Sequence, residues 1–171
     1  MRIELDRLKE ADGKFSRVYS VDELLLGDDE LRLIEPAEIT GRARRNGTEC
    51  ELRGKLLAKV EAVCGRCLQR VEVPISTDFT ERFVRAVTWA AEEQHELQEE
   101  DLNLAVFDGE AIELDDLVRE EILLAVSGNV LCREDCQGLC PICGVDKNLS
   151  SCQCATKEID SRWQKLEGLQ S

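Results

Sequence analysis

The chain has 171 residues, a formal net charge of −14 and nine cysteines. Its length suffices for one well-filled domain, or for one domain with a small metal-bound appendage, but not for two full hydrophobic cores. No apolar run approaches the roughly 18 residues of a membrane span, and the N-terminus alternates charged with apolar side chains where a secretory signal is apolar. We therefore expect a cytoplasmic protein with no membrane partner.

Charge is distributed unevenly along this acidic chain. Residues 40–70 hold eight basic and three acidic side chains, whereas residues 92–121 hold thirteen acids and one base. A basic segment can contact phosphates and an acidic segment can contact a basic protein, although both can equally be ordinary solvated surface. The candidate RNA-contacting residues are the cations of the basic segment, Arg42, Arg44, Arg45, Arg53, Lys55, Lys59 and Arg66.

The N-terminal residues predict strands and a short helix. Apolar alternation in residues 3–5 and 15–19 is typical of strand structure. Residues 20–23 have the pattern of a capping box, which predicts a short helix over residues 24–26 that ends at Gly27.

A β-hairpin follows. Residues 37–45 and 48–63 predict its two strands, because the Asn-Gly pair between them is a strong turn signal. Pro36 is expected to interrupt the chain before the hairpin. Gly54 breaks the alternation of the second strand and predicts a bulge or bend there.

Two further strands are predicted over residues 71–75 and 77–84, and Pro74 places the first at a sheet edge or near the end of the strand. These strands should form an antiparallel sheet or a partly open barrel. With a few helices and a C-terminal Cys-rich zinc-knuckle segment, the fold class is α+β. We expect an α+β core over residues 1–126, and a Cys-rich metal-binding segment with a C-terminal helix over residues 127–171.

The second half begins with an acidic stretch, residues 90–101, that lacks apolar periodicity and indicates a loop. It contains the only histidine, His95, which we expect to be solvated and not catalytic. Residues 104–107 predict a short strand. Residues 114–125 predict an amphipathic helix, whose apolar stripe is Leu114, Leu117, Val118, Ile122 and Ala125. A last helix is predicted from Asp160.

Eight of the nine cysteines form four closely spaced pairs. One pair lies in CGRC, and residues 132–154 read CREDCQGLCPICGVDKNLSSCQC. Because tetrahedral Zn²⁺ takes four thiolates and a C-x2-C turn supplies two of them, eight clustered thiols predict two four-thiolate sites. The candidate ligands are Cys64, Cys67, Cys132, Cys136, Cys140, Cys143, Cys152 and Cys154.

Spacing alone leaves the pairing open. Our preferred assignment forms one site from the last four of these thiols and the other from the first four, which closes a long loop of the chain. The alternatives are a single zinc-ribbon site made of the two C-x2-C turns, a disulfide framework, or an iron–sulfur cluster. Structural zinc, as one or two ions, is the favoured cofactor. Cys50 belongs to neither set and is expected to be a small buried hydrophobe on a strand.

Several segments resemble one protein family. They are CGRCL at residues 64–68, LDDLVREEILLA at residues 114–125, CREDCQGLCPICG at residues 132–144 and DSR at residues 160–162. In order and spacing they are similar to the YceD-type large ribosomal RNA subunit accumulation proteins of bacteria and plastids. The resemblance implies a role in accumulation or maturation of the large-subunit ribosomal RNA (rRNA), and it implies no known reaction.

The residues themselves agree with a protein that is not an enzyme. The sequence holds no Ser/His/Asp set, no phosphate-binding glycine loop and no open metal site. We therefore expect a factor whose basic strands contact large-subunit rRNA or a pre-ribosomal particle, with no small-molecule substrate. Two alternatives stay open: a chaperone whose acidic block, residues 92–121, binds a basic large-subunit ribosomal protein, and a thiol redox protein.

Overall fold

The structure is a computed structural model of the chain. It describes residues 2–4, 13–27, 31–47, 49–90, 104–109, 111–126, 128–154 and Arg162. These residues form the strands and helices β1 (Arg2–Glu4), β2 (Gly13–Tyr19), β3 (Arg32–Asn46), β4 (Glu49–Val63), β5 (Arg70–Arg85), α1 (Ala86–Ala90), β6 (Leu104–Phe107), β7 (Ala111–Glu113) and α2 (Leu114–Ala125). His95 and the helix predicted from Asp160 lie outside the described residues.

Five strands form one sheet in the order β2-β3-β4-β5-β6. Strands β2 to β5 pair antiparallel, as predicted, but β6 runs parallel to β5, from Leu104 opposite Arg82 to Phe107 opposite Arg85. The sheet is therefore mixed, and the prediction of an antiparallel sheet is only partly right. A parallel neighbour needs a crossover connection, and the chain between β5 and β6, which includes α1, is long enough to make one.

The predicted hairpin of β3 and β4 forms the middle of the sheet. Asn46 pairs with Glu49, and Gly47 between them has a φ of 62°, the left-handed conformation that a tight hairpin turn favours. Strand β3 runs through Pro36 instead of breaking there. Its register against β4 shifts on either side of Glu35, and this irregular stretch accommodates a residue that has no N–H to donate.

Strand β5 is one strand of 16 residues where the sequence predicted two. Pro74 lies opposite Lys59 of β4, whereas β6 pairs with β5 only from Arg82 to Arg85. Within the described part of the chain, the other side of Pro74 therefore has no neighbouring strand. That part of β5 is a sheet edge, as the proline predicts.

Gly54 does not mark a bulge, because the pairing of β4 with both neighbours is continuous through it. It lies opposite Gly41 of β3, and this glycine pair is flanked by Phe15 of β2 and Phe79 of β5. A Cβ on Gly54 would lie 2.2 Å from the Thr40 carbonyl oxygen and 2.8 Å from Cζ of Phe79. The two glycines leave the space that the two rings fill.

No helix forms at residues 24–26, contrary to the prediction. Residues 21–23 make a turn in which the Glu23 N–H donates to the Ser20 carbonyl oxygen at 3.1 Å, and the Glu23 carboxylate is paired with Arg17 of β2. The burial of Leu24 and Leu26 and the exposure of Leu25 between them give the alternation of extended chain. Three residues before a glycine are too few to nucleate a helix.

The hydrophobic core lies between one face of the sheet, α2 and the small sheet of β1 and β7. The Tyr19 hydroxyl donates to Asp115 Oδ1 at 2.7 Å and joins β2 to α2, and burial raises the pKa of this tyrosine. Ala125, predicted to face the core, is exposed. The other four residues of the predicted apolar stripe are buried, namely Leu114, Leu117, Val118 and Ile122.

The outward face of the sheet carries the alternate, exposed residues of β2 to β5. Among the described residues, neither helix is long and apolar enough to cross a membrane.

Candidate metal centres

The first thiol cluster joins the end of β4 to the segment that follows α2. Cys64 and Cys67 lie in the turn directly after Val63, the last residue of β4, and Cys132 and Cys136 come from the segment after the helix. Their four Sγ atoms all lie within 4.8 Å of one another. Three of the four residues are buried among apolar neighbours. The cluster therefore connects two parts of the chain that are far apart in sequence.

The second cluster lies in the chain that follows. It contains Cys140, Cys143, Cys152 and Cys154, whose Sγ atoms also lie within 4.8 Å of one another. This grouping is the assignment that the sequence analysis preferred, and the two C-x2-C turns do not share one site. Cys50 belongs to neither cluster. It is buried on β4, as predicted, and burial raises the pKa of its thiol to about 11.

The distances between sulfur atoms fit a four-coordinate metal. Cys64 Sγ lies 3.9 Å from Cys136 Sγ, and Cys67 Sγ lies 3.6 Å from Cys132 Sγ. A disulfide would bring the sulfurs to about 2.05 Å, whereas Zn–S bonds of about 2.3 Å place the sulfurs of a tetrahedron roughly 3.8 Å apart. Four soft thiolates are the donor set of structural zinc, and iron is another metal that they bind in proteins.

Both C-x2-C turns have the same backbone geometry. In each, the N–H of the first cysteine, Cys64 or Cys140, donates to the carbonyl oxygen five positions on, at 2.8 Å. The residue after the second cysteine is left-handed in both turns, with a φ of 73° at Gly144 and 60° at Leu68. The sequence indicated the turn at Cys140–Cys143 through its glycine, Gly144. The same conformation at Leu68 shows that the turn forms without a glycine, with the same backbone hydrogen bond.

The same turns favour ionised sulfur on their first cysteine. In each turn, the first sulfur accepts hydrogen bonds from the backbone N–H groups three and two residues later in the chain. These hydrogen bonds lower the pKa of Cys64 and that of Cys140 to about 6. In contrast, burial raises the pKa of Cys132 to about 12, and a hydrogen bond with the Cys143 thiol raises that of Cys154 to about 12. Each cluster therefore needs a cation before all of its thiols ionise, and a bound metal supplies that charge.

Comparison with known proteins places these clusters in a family. The model of the family described as "Large ribosomal RNA subunit accumulation protein YceD" matches residues 52–170, well over half of the chain. The chain belongs to the YceD family. The matched region contains all eight clustered cysteines and helix α2, and it confirms the resemblance seen in the sequence.

Curated relatives support the match. "Uncharacterized protein Rv2926c" of Mycobacterium tuberculosis (strain ATCC 25618 / H37Rv) and "Uncharacterized protein Mb2951c" of Mycobacterium bovis are each 34% identical over 113 residues, 66% of this YceD chain. The match covers 52% of each of those proteins, about half of their length. "Uncharacterized protein YlbN" of Bacillus subtilis (strain 168) is 23% identical over 167 residues, 97% of this chain and 92% of the relative. No solved structure gives a significant match.

Asn148 connects the two clusters of this YceD chain. It lies between the cysteine pairs of the second cluster, yet its side-chain N–H donates to Cys136 Sγ of the first cluster at 3.4 Å. Its Oδ1 accepts from the Gln137 N–H at 2.8 Å and from the Arg133 guanidinium at 2.7 Å. Burial opposes ionisation of Cys136, but the Asn148 amide and a backbone N–H lower the pKa of this thiol. A residue from the loop of the second cluster therefore donates a hydrogen bond to Cys136 Sγ, a candidate metal ligand of the first cluster.

Replacing Asn148 by alanine should weaken metal binding at the first cluster by about 10- to 100-fold, the usual effect of removing an outer hydrogen-bond partner. In a titration with a coloured chelator, one metal equivalent of Asn148→Ala should be released at lower chelator concentration than in wild type, and the other should be unchanged. Lys147→Ala is the matched control, since this neighbour is exposed and its side chain forms no hydrogen bond or ion pair with a described residue. Identical titrations of the two variants would contradict the role of Asn148.

The structure sorts the predicted RNA-contacting residues into two groups. Arg42, Arg44, Arg53 and Lys55 are exposed and lie on the outward face of the sheet. Of these four, Arg53 is paired with Glu51 of its own strand. The other three predicted residues form hydrogen bonds or ion pairs with other protein groups. Lys59 Nζ is held by Glu35 at 3.0 Å and Glu72 at 2.6 Å, Arg66 donates to the Cys136 carbonyl oxygen at 2.8 Å, and Arg45 donates to the Gly47 carbonyl oxygen at 3.2 Å.

Two cations of the same face were missed in the sequence. Lys14 of β2 lies opposite Arg42, and Arg82 of β5 lies opposite Glu51 of β4. Both are distant in sequence from the basic segment, so counting charge along the chain could not find them. The alternation of β2 places Lys14 on the polar side of its strand, but its neighbour is known only once the strand order is known.

Proposed function

We propose that this protein is a non-enzymatic factor in biogenesis of the large ribosomal subunit that supports accumulation or maturation of the large-subunit rRNA. The observation that carries the proposal is the match of the YceD family model over residues 52–170. The protein acts in the cytoplasm on rRNA or on a pre-ribosomal particle, and it has no small-molecule substrate.

We further propose that the folded protein contains two structural zinc ions. The first four thiols would hold one ion and the last four the other, and each ion would supply cross-linking of its loops and no reaction chemistry. A site with four thiolates is closed, whereas catalytic zinc keeps a position for water. The thiol clusters thus support a binding role over catalysis.

The outward face of the sheet is the proposed RNA contact. The exposed cations Arg42, Arg44 and Lys55 form no ion pair with any residue that the structure describes. Most other Arg and Lys residues in the described part of the chain are paired with a carboxylate. A shallow depression of about 230 Å³ lies among Arg42, Arg44, Glu51 and Arg53. A phosphate group is the anion that such cations bind in RNA.

Deletion of the gene tests the proposal. We expect the large-subunit rRNA to fall relative to the small-subunit rRNA, and the wild-type gene to restore the ratio. A gene encoding Arg42→Gln and Arg44→Gln should restore it poorly, while a Lys59→Gln and Arg70→Gln gene, which removes the same charge from cations already held by carboxylates, should restore it fully. An unchanged rRNA ratio in the deletion strain would overturn the proposed function.

A second candidate is a chaperone for a basic ribosomal protein. Glu120 and Glu121 of α2 lie close to Glu81 of β5, and burial together with this mutual repulsion raises the pKa of Glu81 and Glu121. A basic partner would relieve that repulsion. If a stable complex with a ribosomal protein were recovered from cells, survived treatment with ribonuclease and were lost in Glu120→Gln and Glu121→Gln protein, this second function would replace RNA binding.

A further inference from the structure

Three cations stand side by side on the outward face. Lys14 of β2 lies opposite Arg42 of β3, and Arg42 lies opposite Arg53 of β4. The next positions along β3 and β4 add Arg44 and Lys55 to the same face. Like charges directly opposite each other in a sheet destabilise it, so this row is costly to the fold unless an anion binds across it.

Carboxylates compensate only part of this charge. Arg53 is paired with Glu51, with Nε to Oε1 at 2.7 Å, and Arg82 with Glu49, at 2.8 Å. Asp78 lies opposite Lys55 but forms no ion pair with it. Lys14, Arg42, Arg44 and Lys55 therefore remain unpaired among the residues that the structure describes, on three neighbouring strands.

The aromatic residues of the sheet are all on its other face. The chain has four phenylalanines and one tyrosine; Phe15, Tyr19, Phe79 and Phe83 are buried in the core, and Phe107 packs edge-on against Phe83 at a centroid distance of 6.5 Å. Proteins that bind single-stranded RNA stack its bases most often on exposed aromatic rings, with Arg guanidinium planes as a second platform. The described residues of the outward face offer no such ring.

We propose that the outward face binds the phosphate backbone of double-helical rRNA through Lys14, Arg42, Arg44 and Lys55, and not the bases of a single strand. Neighbouring strands are about 4.8 Å apart and alternate residues about 6.8 Å, so the four cations form a two-dimensional array across three strands. The wide, shallow minor groove of an A-form duplex is flanked by two rows of phosphates, which such an array can contact. This inference rests on the proposed function, which takes rRNA as the partner.

The test measures binding of the full chain to three probes of one sequence: an RNA duplex, one of its strands alone, and the corresponding DNA duplex. Four phosphate contacts predict a slope of about −3.6 for log affinity against log salt, which is on the order of a 100-fold loss between about 50 and 200 mM salt. The Arg42→Gln, Arg44→Gln double variant should have a slope of about −1.8. The Lys59→Gln, Arg70→Gln double variant, with the same net charge, should keep the wild-type slope. Thermal unfolding of both variants verifies that they are folded.

The outcomes separate this inference from the proposed function. Tighter binding of the RNA duplex than of either other probe, lost in the first double variant only, supports the inference. Equal or tighter binding of the single strand or of the DNA duplex would overturn recognition of double-helical RNA and leave the ribosomal function in place. Equal losses in the two double variants would overturn the assigned face. If no probe bound, both the inference and the RNA contact of the proposed function would be wrong.

Discussion

Replacing Cys64 by alanine should remove one of two metal ions per chain and lower the melting temperature by more than about 10 °C. The Cys64 side chain is fully buried, directly follows β4, and its sulfur accepts the Cys132 N–H at 3.4 Å. Its loss opens the cluster that ties β4 to the segment after α2. Structural zinc contributes about 10–16 kcal/mol of binding free energy in zinc-finger peptides, and here that binding closes a long loop. Metal analysis and thermal unfolding followed by circular dichroism measure the two effects.

Cys50→Ala is the matched control. Cys50 is on the same strand and is also fully buried, but it belongs to neither thiol cluster. The Cys50→Ala protein should keep both metal ions. Its free energy of unfolding should fall by only about 1 kcal/mol, which lowers the melting temperature by about 2–4 °C. If the Cys64 variant cannot be purified, chelation of the wild-type protein should produce the same fall in melting temperature. Two ions in Cys64→Ala protein would contradict the assignment of this ligand.

The second large effect is expected for Gly54→Ala, which should destabilise the protein by about 3 kcal/mol. The new Cβ would lie 2.2 Å from the Thr40 carbonyl oxygen and 2.9 Å from Cα of Gly41, so backbone and not a flexible side chain must move. Chemical unfolding of the two proteins under the same conditions measures the difference.

Gly128→Ala is the control for this substitution, because no atom lies within 4 Å of a Cβ at that position. It should change stability by less than about 0.5 kcal/mol. A Gly54→Ala protein as stable as the Gly128→Ala protein would show that the glycine pair is not required for the close approach of β3 and β4.

The parts of the molecule with strong local signals could be predicted from the sequence. The Asn-Gly turn fixed the position of the hairpin, and the apolar spacing of residues 114–125 fixed α2. The eight candidate ligands could be predicted from their close spacing, but the pairing could only be preferred, and the structure shows the two groups. Cys50 was distinguished from the others by having no second cysteine nearby in sequence.

The errors come from interactions between distant residues. Gly54 has the local signature of a bulge, but its role depends on Gly41 and Phe79, which only the strand order brings to it. The helix expected at residues 24–26 is an exception with a local cause: the Ser20 N–H does donate to Glu23 Oε2 at 3.3 Å, as in a capping box, but three residues before a glycine are too few to nucleate a helix. The direction of β6 is known only from its pairing with β5, and no residue of β6 itself encodes that direction.

Strand pairing also decides which of the basic residues are paired with carboxylates. Lys59 belongs to the basic segment of the sequence, yet two carboxylates on neighbouring strands hold it. Lys14 lies outside that segment and joins the cations of the outward face through its pairing with β3. Net charge along a sequence therefore identifies a basic region. Only the sheet register identifies which of its cations are not paired with carboxylates and can bind a partner.

Metal content per chain, measured by elemental analysis on protein purified without chelator and combined with thiol titration before and after metal release, tests the central claim most directly. Two closed structural sites predict two zinc ions per chain and eight thiols that become reactive only on release, in addition to the buried Cys50. Iron in place of zinc would indicate an iron–sulfur protein. No metal, with oxidised or freely reactive thiols, would contradict the account and favour thiol redox chemistry.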